Sequence, residues 1–253
     1  MLIALSRKLA LALFALLAGS IVLPAQPDTL QGLIVHPVFH GTLVLETSSG
    51  TIFVDPYGGA ERFEAFGQPS LVLITHPHGD HLNAETLRGL DLTASTLIAP
   101  SAVLEKLPED IAFAKVVALS NGEEAAIGGV GVRAVPMYNL PEEGARHPKG
   151  WGNGYILESG GQRVYISGDT EDIPEMRQLE DIDIAFVCMN LPYTMDVHQA
   201  ADGVSAFRPA VVYPYHYRQG DGSFSDVELF RQMVGEKAPQ VEVRLRDWYP
   251  NMD

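Results

Sequence analysis

Leu71-Val72-Leu73-Ile74-Thr75-His76-Pro77-His78-Gly79-Asp80-His81-Leu82 is the stretch that decides how the rest of the chain is read. Its first four residues form a continuous apolar run, as in a strand buried on both faces. The six positions from His76 to His81 then hold three histidines and one aspartate. A buried strand therefore delivers these side chains to the edge of a sheet. His76 and His78, two residues apart, point the same way in extended chain. Gly79 permits a sharp turn, after which Asp80 and His81 face a second point. Two imidazoles at one point, with a carboxylate and an imidazole at another, suit borderline cations such as Zn2+.

Outward from this motif the apolar runs are short and interrupted by 24 Gly and 17 Pro, which excludes a coiled coil or helical bundle. The patterns predict strands over 42–46, 51–54, 71–74, 96–98, 115–119, 130–135, 154–157, 163–166, 184–187 and 211–213, with 241–245 closing the chain. Helices are predicted over 83–90, 101–106, 173–179, 198–206 and 225–234. The early part is strand-rich and the later part alternates strand and helix. The expected fold class is therefore α/β (α+β): a four-layer αββα sandwich of two mixed β-sheets with helices on the outer faces.

With 253 residues, 46% of them hydrophobic, the chain is neither disordered nor long enough for two full-sized domains. Its formal net charge of −15 offers no broad basic surface for phosphate backbones, so nucleic-acid binding is disfavoured. One cysteine, Cys188, precludes an intrachain disulfide and a Cys-rich zinc module; ending an apolar run, it reads as a buried structural thiol. Residues 1–25 read as a signal peptide: Arg7 and Lys8, an apolar run from Leu9, then small residues to Ala25. This leaves 26–253 as one domain, in a periplasmic or secreted protein, with an uncleaved membrane tether as the alternative.

At this point the chain resembles the metallo-β-lactamase-fold hydrolases, whose signature is His-x-His-x-Asp-His at the end of a strand. The family's next landmark, a Gly-Asp-Thr after a strand, matches Gly168-Asp169-Thr170, and its last histidine matches His216 after Val211-Val212-Tyr213-Pro214-Tyr215. The family usually places another histidine directly after a strand between these points. Here Asn139 stands there, and the only histidine in the interval is His147. Ala134 to Asn139, His147-Pro148-Lys149, Tyr193-Thr194-Met195-Asp196 and Tyr213 to Tyr217 are similar to a bacterial branch near ascorbate-6-phosphate lactonase and N-acyl-phosphatidylethanolamine phospholipase D.

The resemblance implies two divalent metal ions, Zn2+ first and Mn2+ or Fe2+ as alternatives. His76, His78 and His147 hold one ion, Asp80, His81 and His216 the other, and Asp169 bridges. His147 has two alternatives: it faces substrate, or Asn139 or water completes the site. The implied reaction uses hydroxide generated at the metals to cleave a phosphodiester, lactone or other ester in a small-molecule or lipid-like substrate. Asp80 and Asp169 are its catalytic carboxylates, Asp80 as candidate proton acceptor. His40, Asn139, Lys149, Asn153 and Tyr193 are candidates to line the substrate pocket, while His36 and His198 read as structural or surface residues. A β-lactam hydrolase and a non-catalytic metal or ligand binder on the same scaffold are the competing functions. Oligomeric state is left open.

Overall fold

Each of the first sheet's strands β3 (Thr42–Thr47), β4 (Gly50–Val54) and β5 (Leu71–Leu73) carries apolar residues on both faces, and this alternation sets the layering. Leu43, Leu45, Ile52, Leu71 and Leu73 enter a core shared with the second sheet. Val44, Phe53 and Val72, one residue out of phase, enter a separate core with Phe63, Leu87 and Val103. The computed structural model describes residues 27–250 and Met252, so the signal-peptide reading of 1–25 lies outside the described residues.

The first sheet runs β1 (Asp28–Leu30), β2 (Leu33–Phe39), β3, β4, β5, β6 (Thr96–Ala99) and β7 (Lys115–Ala118) in chain order. It is antiparallel up to β4 and parallel from there on. A 3-10 segment (Ala60–Phe66), α1 (Ala84–Arg88) and α2 (Ser101–Leu104) cover its outer face.

The second sheet runs β14 (Glu242–Val243), β13 (Val211–Tyr215), β12 (Ile184–Cys188), β11 (Gln162–Ile166), β10 (Gly152–Ser159), β9 (Val130–Met137) and β8 (Glu124–Ile127). The strands from β8 to β11 pair antiparallel, and those from β11 to β14 parallel. α3 (Pro174–Arg177), α4 (Val197–Phe207) and α5 (Val227–Lys237) contribute Met176, Val204, Phe207, Phe230 and Val234 to its core. Asp196 caps α4 through a capping box with Gln199, which fixes where that helix begins. The two sheets with helices outside are the four-layer sandwich expected from the sequence.

Three strands escape the sequence patterns. β2 contains Pro37, which argues against a strand because it removes a ladder donor; the sheet absorbs it with a register shift between Pro37 and Phe39. β1 is short, and β8 is a four-residue edge strand with alternating exposure. The closing strand contracts from 241–245 to Glu242–Val243.

Asp28 ties the first strand to the end of the chain. It accepts from Tyr213 Oη at 2.7 Å and Arg246 Nη2 at 2.6 Å, and lies 2.9 Å from Arg244 Nη1. Burial pushes its pKa up, but the Tyr213 hydrogen bond and the two guanidiniums outweigh this and hold it below the usual carboxylate value of 3.8. A lowered folded-state pKa stabilises the fold above the unfolded value and loses that contribution as pH falls through the folded one. Asp28→Asn is therefore expected to lose about 1–3 kcal/mol at neutral pH. In urea melts its difference from the parent should shrink as the pH is taken below 3.8.

Candidate metal centre

Six strands of one polarity end at the same edge of the sandwich, and each delivers a polar side chain there. β2 and β4 run together because both are antiparallel to β3. β9 and β11 run together because both are antiparallel to β10. His40 follows β2, Asp55 follows β4, and the His76–His81 turn follows β5; Asn139, Asp169 and His216 follow β9, β11 and β13. The two sheets are pinned at this edge by Asn153 N donating to Thr75 O at 2.9 Å, Tyr155 Oη to Ile74 O at 2.8 Å, and His216 N to His40 O at 3.1 Å.

The polar ends converge in two groups that share Asp169. In the first, His78 Nδ1 lies 3.0 Å from His76 Nε2 and 3.1 Å from His147 Nε2, and Asp169 Oδ2 is 3.5 Å from His147 Nε2. In the second, Asp169 Oδ1 is 3.4 Å from both His81 Nε2 and His216 Nε2, and Asp80 Oδ2 is 3.6 Å from His216 Nε2. Zn–N bonds of about 2.0–2.1 Å in a tetrahedron give edges of about 3.3–3.4 Å, so these spacings suit donors around a cation. Asp169 Oδ1 is buried and accepts no hydrogen bond, an orphan that a cation between it and the imidazoles would satisfy.

Hydrogen bonds behind the donors settle which nitrogen faces inward. His81 Nδ1 lies 2.7 Å from Asp55 Oδ2, and Asp55 is itself held by Thr75 N at 2.7 Å and Thr75 Oγ1 at 2.6 Å. His81 thus donates from Nδ1 and presents Nε2. His147 likewise donates from Nδ1 to Asn139 Oδ1 at 3.0 Å. Asn139 Oδ1 also accepts from His147 N at 2.8 Å, and Asn139 Nδ2 donates to Tyr193 O at 2.9 Å. The structure therefore brings His147 into the histidine group and gives Asn139 to its support, where the sequence left the two as alternatives.

His40 occupies the other flank. Its Nε2 lies 3.2 Å from Asp80 Oδ2, its Nδ1 lies 2.9 Å from Tyr249 Oη, and its ring is 3.9 Å from that of His216. Burial, then the neighbouring His216 charge, lower its pKa to about 4. Burial lowers His147 to about 4 as well, and holds His76 well below its usual value. Burial also disfavours the His81 imidazolium, but Asp169, Asp55 and Asp80 outweigh it and raise its pKa well above normal. Burial opposes ionisation of Asp169 and Asp80, and the surrounding imidazoles overcome it and hold both carboxyls low. His40, His76, His78 and His147 are thus held towards the neutral imidazole, and Asp80 and Asp169 towards the carboxylate, the donor forms a dication requires, while the positive charge that the carboxylates favour on His81 is one a bound cation would replace.

The remaining candidates separate. Lys149 does not turn to the metal donors: its Nζ is 2.8 Å from Glu175 Oε1 on α3, because that carboxylate is the nearer anion. Asn153 is 1% exposed, donates to Leu119 O and accepts from Asn121, so it braces the sheets rather than lining a pocket. Tyr193 is half-buried beneath the Arg146 guanidinium, 4.4 Å from its ring centroid. His36 pairs with Glu46, His198 is exposed, and Cys188 is buried with its thiol raised by burial to about 12.

Sequence reasoning missed Asp55, Gly41, Trp151 and Tyr249. Asp55 had a usable signal: it directly follows the apolar run Ile52-Phe53-Val54, as the turn carrying His76–His81 follows the run ending at Ile74. Gly41 and Trp151 had none, since only the folded chain shows what they approach. The Trp151 ring lies 5.0 Å from that of His78.

A sandwich of this topology with these donors on one edge defines a metallo-β-lactamase fold. Residues 37–216 match the family model described as the beta-lactamase superfamily domain, and the chain belongs to that superfamily. A UPF0173 metal-dependent hydrolase of Pyrococcus horikoshii is 29% identical over 213 residues, 80% of this chain and 92% of the relative. The crystal structure of a protein described as a metal-dependent hydrolase of Parabacteroides distasonis superposes with a TM-score of 0.77 at 37% identity. That alignment covers 89% of this chain and 100% of the other. Igni18, a metallo hydrolase from Ignicoccus hospitalis, shares the fold with a TM-score of 0.68 at 24% identity, covering 84% and 94% of the two chains.

Two substitutions test the support around the donors. A Cβ at Gly41 would lie 2.9 Å from His216 Cδ2 and 3.0 Å from His81 Cε1, closer than these buried rings can accept without shifting. Gly41→Ala is expected to bind Zn2+ more weakly by calorimetry while circular dichroism keeps the parent's strand signal. Asp55→Asn, which takes the anion from behind His81, is expected to weaken Zn2+ binding about 10–100-fold.

Proposed function

We propose that the protein is a metal-dependent hydrolase that holds two divalent cations, Zn2+ by preference, and cleaves a phosphodiester or lactone in a small-molecule or lipid-like substrate. The observation that carries this reading is the division of Asp169. Its Oδ2 faces His147 and its Oδ1 faces His81 and His216, so one carboxylate serves both donor groups. His76, His78, His147 and Asp169 would hold one ion, and Asp80, His81, His216 and Asp169 the second. When bound, the ions lower the pKa of water towards neutrality and stabilise negative charge developing on the substrate oxygen.

The chain's own residues do the remainder. Asp80 is ionised and partly open to solvent, with 35% of its side chain exposed, so its carboxylate is available to take the proton of the attacking water. His40 Nε2 donates to Asp80 Oδ2, and Tyr249 Oη donates to His40 Nδ1, fixing the carboxylate from behind. Arg218 N donates to Tyr249 Oη at 3.0 Å and completes the chain of support.

The test is turnover by Zn2+-reconstituted protein of bis-p-nitrophenyl phosphate, a γ-lactone and a cephalosporin, with metal content measured on the same sample. Turnover of the phosphodiester or the lactone is expected. His76→Ala/His78→Ala should lose metal, and its activity should fall by more than the roughly 100-fold typical of removing a group hydrogen-bonded to a ligand. Full metal content and activity in that variant would overturn the assignment, and turnover of the cephalosporin alone would move the reaction to β-lactams.

A further inference from the structure

The cations of this acidic chain are not distributed evenly. Arg88, Arg133, Lys149, Arg163, Arg177, Arg231, Lys237, Arg244 and Arg246 each lie against a carboxylate. Among the described residues, Arg62, Lys106, Lys115, Arg146, Arg208 and Arg218 have no ion pair. Three of these rest on aromatic rings at the edge that carries the metal donors. Arg146 lies over Tyr193 at 4.4 Å, Lys106 over Trp151 at 5.5 Å, and Arg62 over Phe39 at 4.2 Å.

Arg146 and Lys106 flank the same point. Arg146 precedes His147, and its charge disfavours the imidazolium at both His78 and His147. Trp151, which carries Lys106, packs against His78, the half-exposed member of its histidine group. His78 therefore marks the mouth of the site, with Arg146 acting on it electrostatically and Lys106 reaching it through Trp151. Glu142 and Glu143 are close to Arg146 in sequence, yet neither comes within ion-pair distance of it among the described contacts. A cation beside donors for a dication is repulsive, so holding it there on a tyrosine face, without a carboxylate, costs the metal site something. An anion brought in by the substrate offsets that cost.

We propose that Arg146, assisted by Lys106 across Trp151, binds a second anionic group of the substrate, a carboxylate or phosphate set apart from the bond that is cut. This rests on the hydrolase reading above and narrows it to substrates charged at the end that leaves the metals. It also places substrate contact on Arg146 rather than on Lys149, the sequence's pocket-lining candidate, which is paired with Glu175. A guanidinium on an aromatic face keeps its fork of N–H donors free and planar, suited to a two-point grip on either anion. The two cations also raise the local concentration of anionic substrates against the long-range repulsion of a −15 chain.

The experiment measures binding, so it is readable whether or not any ester is turned over. Zn2+-loaded protein is titrated calorimetrically with acetate, which offers one carboxylate, and with glutarate and 3-phosphonopropionate, which add a carboxylate or a phosphonate at the far end. The parent is expected to prefer at least one of the two longer probes to acetate, and which one identifies the anion. Arg146→Gln should lower that preference roughly tenfold or more, with metal content and acetate affinity held. Arg146→Lys should retain part of it, Lys106→Gln should lose less, and Lys115→Gln, the same charge change on β7, should lose none. No preference in the parent, or a preference untouched in Arg146→Gln/Lys106→Gln, overturns the proposal. An equal loss for all three probes also overturns it, because Arg146 would then only hold the loop that carries His147. Failure of the hydrolase reading would show separately, as absent turnover in a protein whose probe preference is intact.

Discussion

Asp169 buries a carboxylate, 4% exposed, among four imidazoles, with His76 and His147 beside one oxygen and His81 and His216 beside the other. An ionised carboxylate taken out of water is strongly destabilising unless positive charge or hydrogen bonds meet it. One of its oxygens meets no hydrogen-bond donor at all. That single group therefore dictates the rest of the edge: imidazoles must arrive from both sheets, at fixed angles, with the correct nitrogen turned inward. No one strand can supply them. Parallel strands supply most of them, because β5, β11 and β13 deliver their C-terminal ends to the same side, while His147 comes from the segment joining the antiparallel β9 and β10.

Orientation then depends on groups that never reach the donor cluster. Asp55 fixes His81 and Asn139 fixes His147, each by accepting a hydrogen bond from Nδ1–H. Gly41 lets the backbone after β2 approach two of the rings, and His216 is further tied to that backbone by its own N–H. These contacts set the donor spacing. The side chains behind the histidines hold the geometry around Asp169 Oδ1, the atom that a cation would satisfy.

How much of this was legible follows from how local each signal is. The His76–His81 turn is contiguous, so strand period and one glycine suffice to place it. Asp169 and His216 each follow a buried run and could be read from order along the chain. His147 could not be fixed, because it sits in the long segment between β9 and β10, which has no period to read. Its position comes from Asn139, whose backbone N–H bonds to His147 O while its side chain caps His147 N, closing the segment into a loop. Lys149 looked like a pocket-lining residue because Glu175, 26 residues away, is invisible as its partner in the sequence. β2 was hidden for a related reason: a proline is forbidden to a regular ladder, and only the neighbouring strand shows that the register shifts around it.

Net charge is the feature whose meaning changes most between sequence and structure. As a total, −15 argues against polyanionic partners and against any preference for anions. Resolved in space, it hides a division. Cations on the flanks are used up in local ion pairs, while Arg62, Lys106 and Arg146 are held on aromatic faces at the one edge where chemistry is concentrated. Exposed ion pairs contribute little to stability, so exposed paired cations such as Arg88 and Arg231 could be lost with small effect, unlike Arg244 and Arg246, which meet the part-buried Asp28. Those on the rings have no such partner to lose; their electrostatics is directed outward, at whatever enters. A protein can therefore be strongly acidic overall and still present a positive mouth, because field strength at a site is set by the nearest unpaired charges and not by the sum.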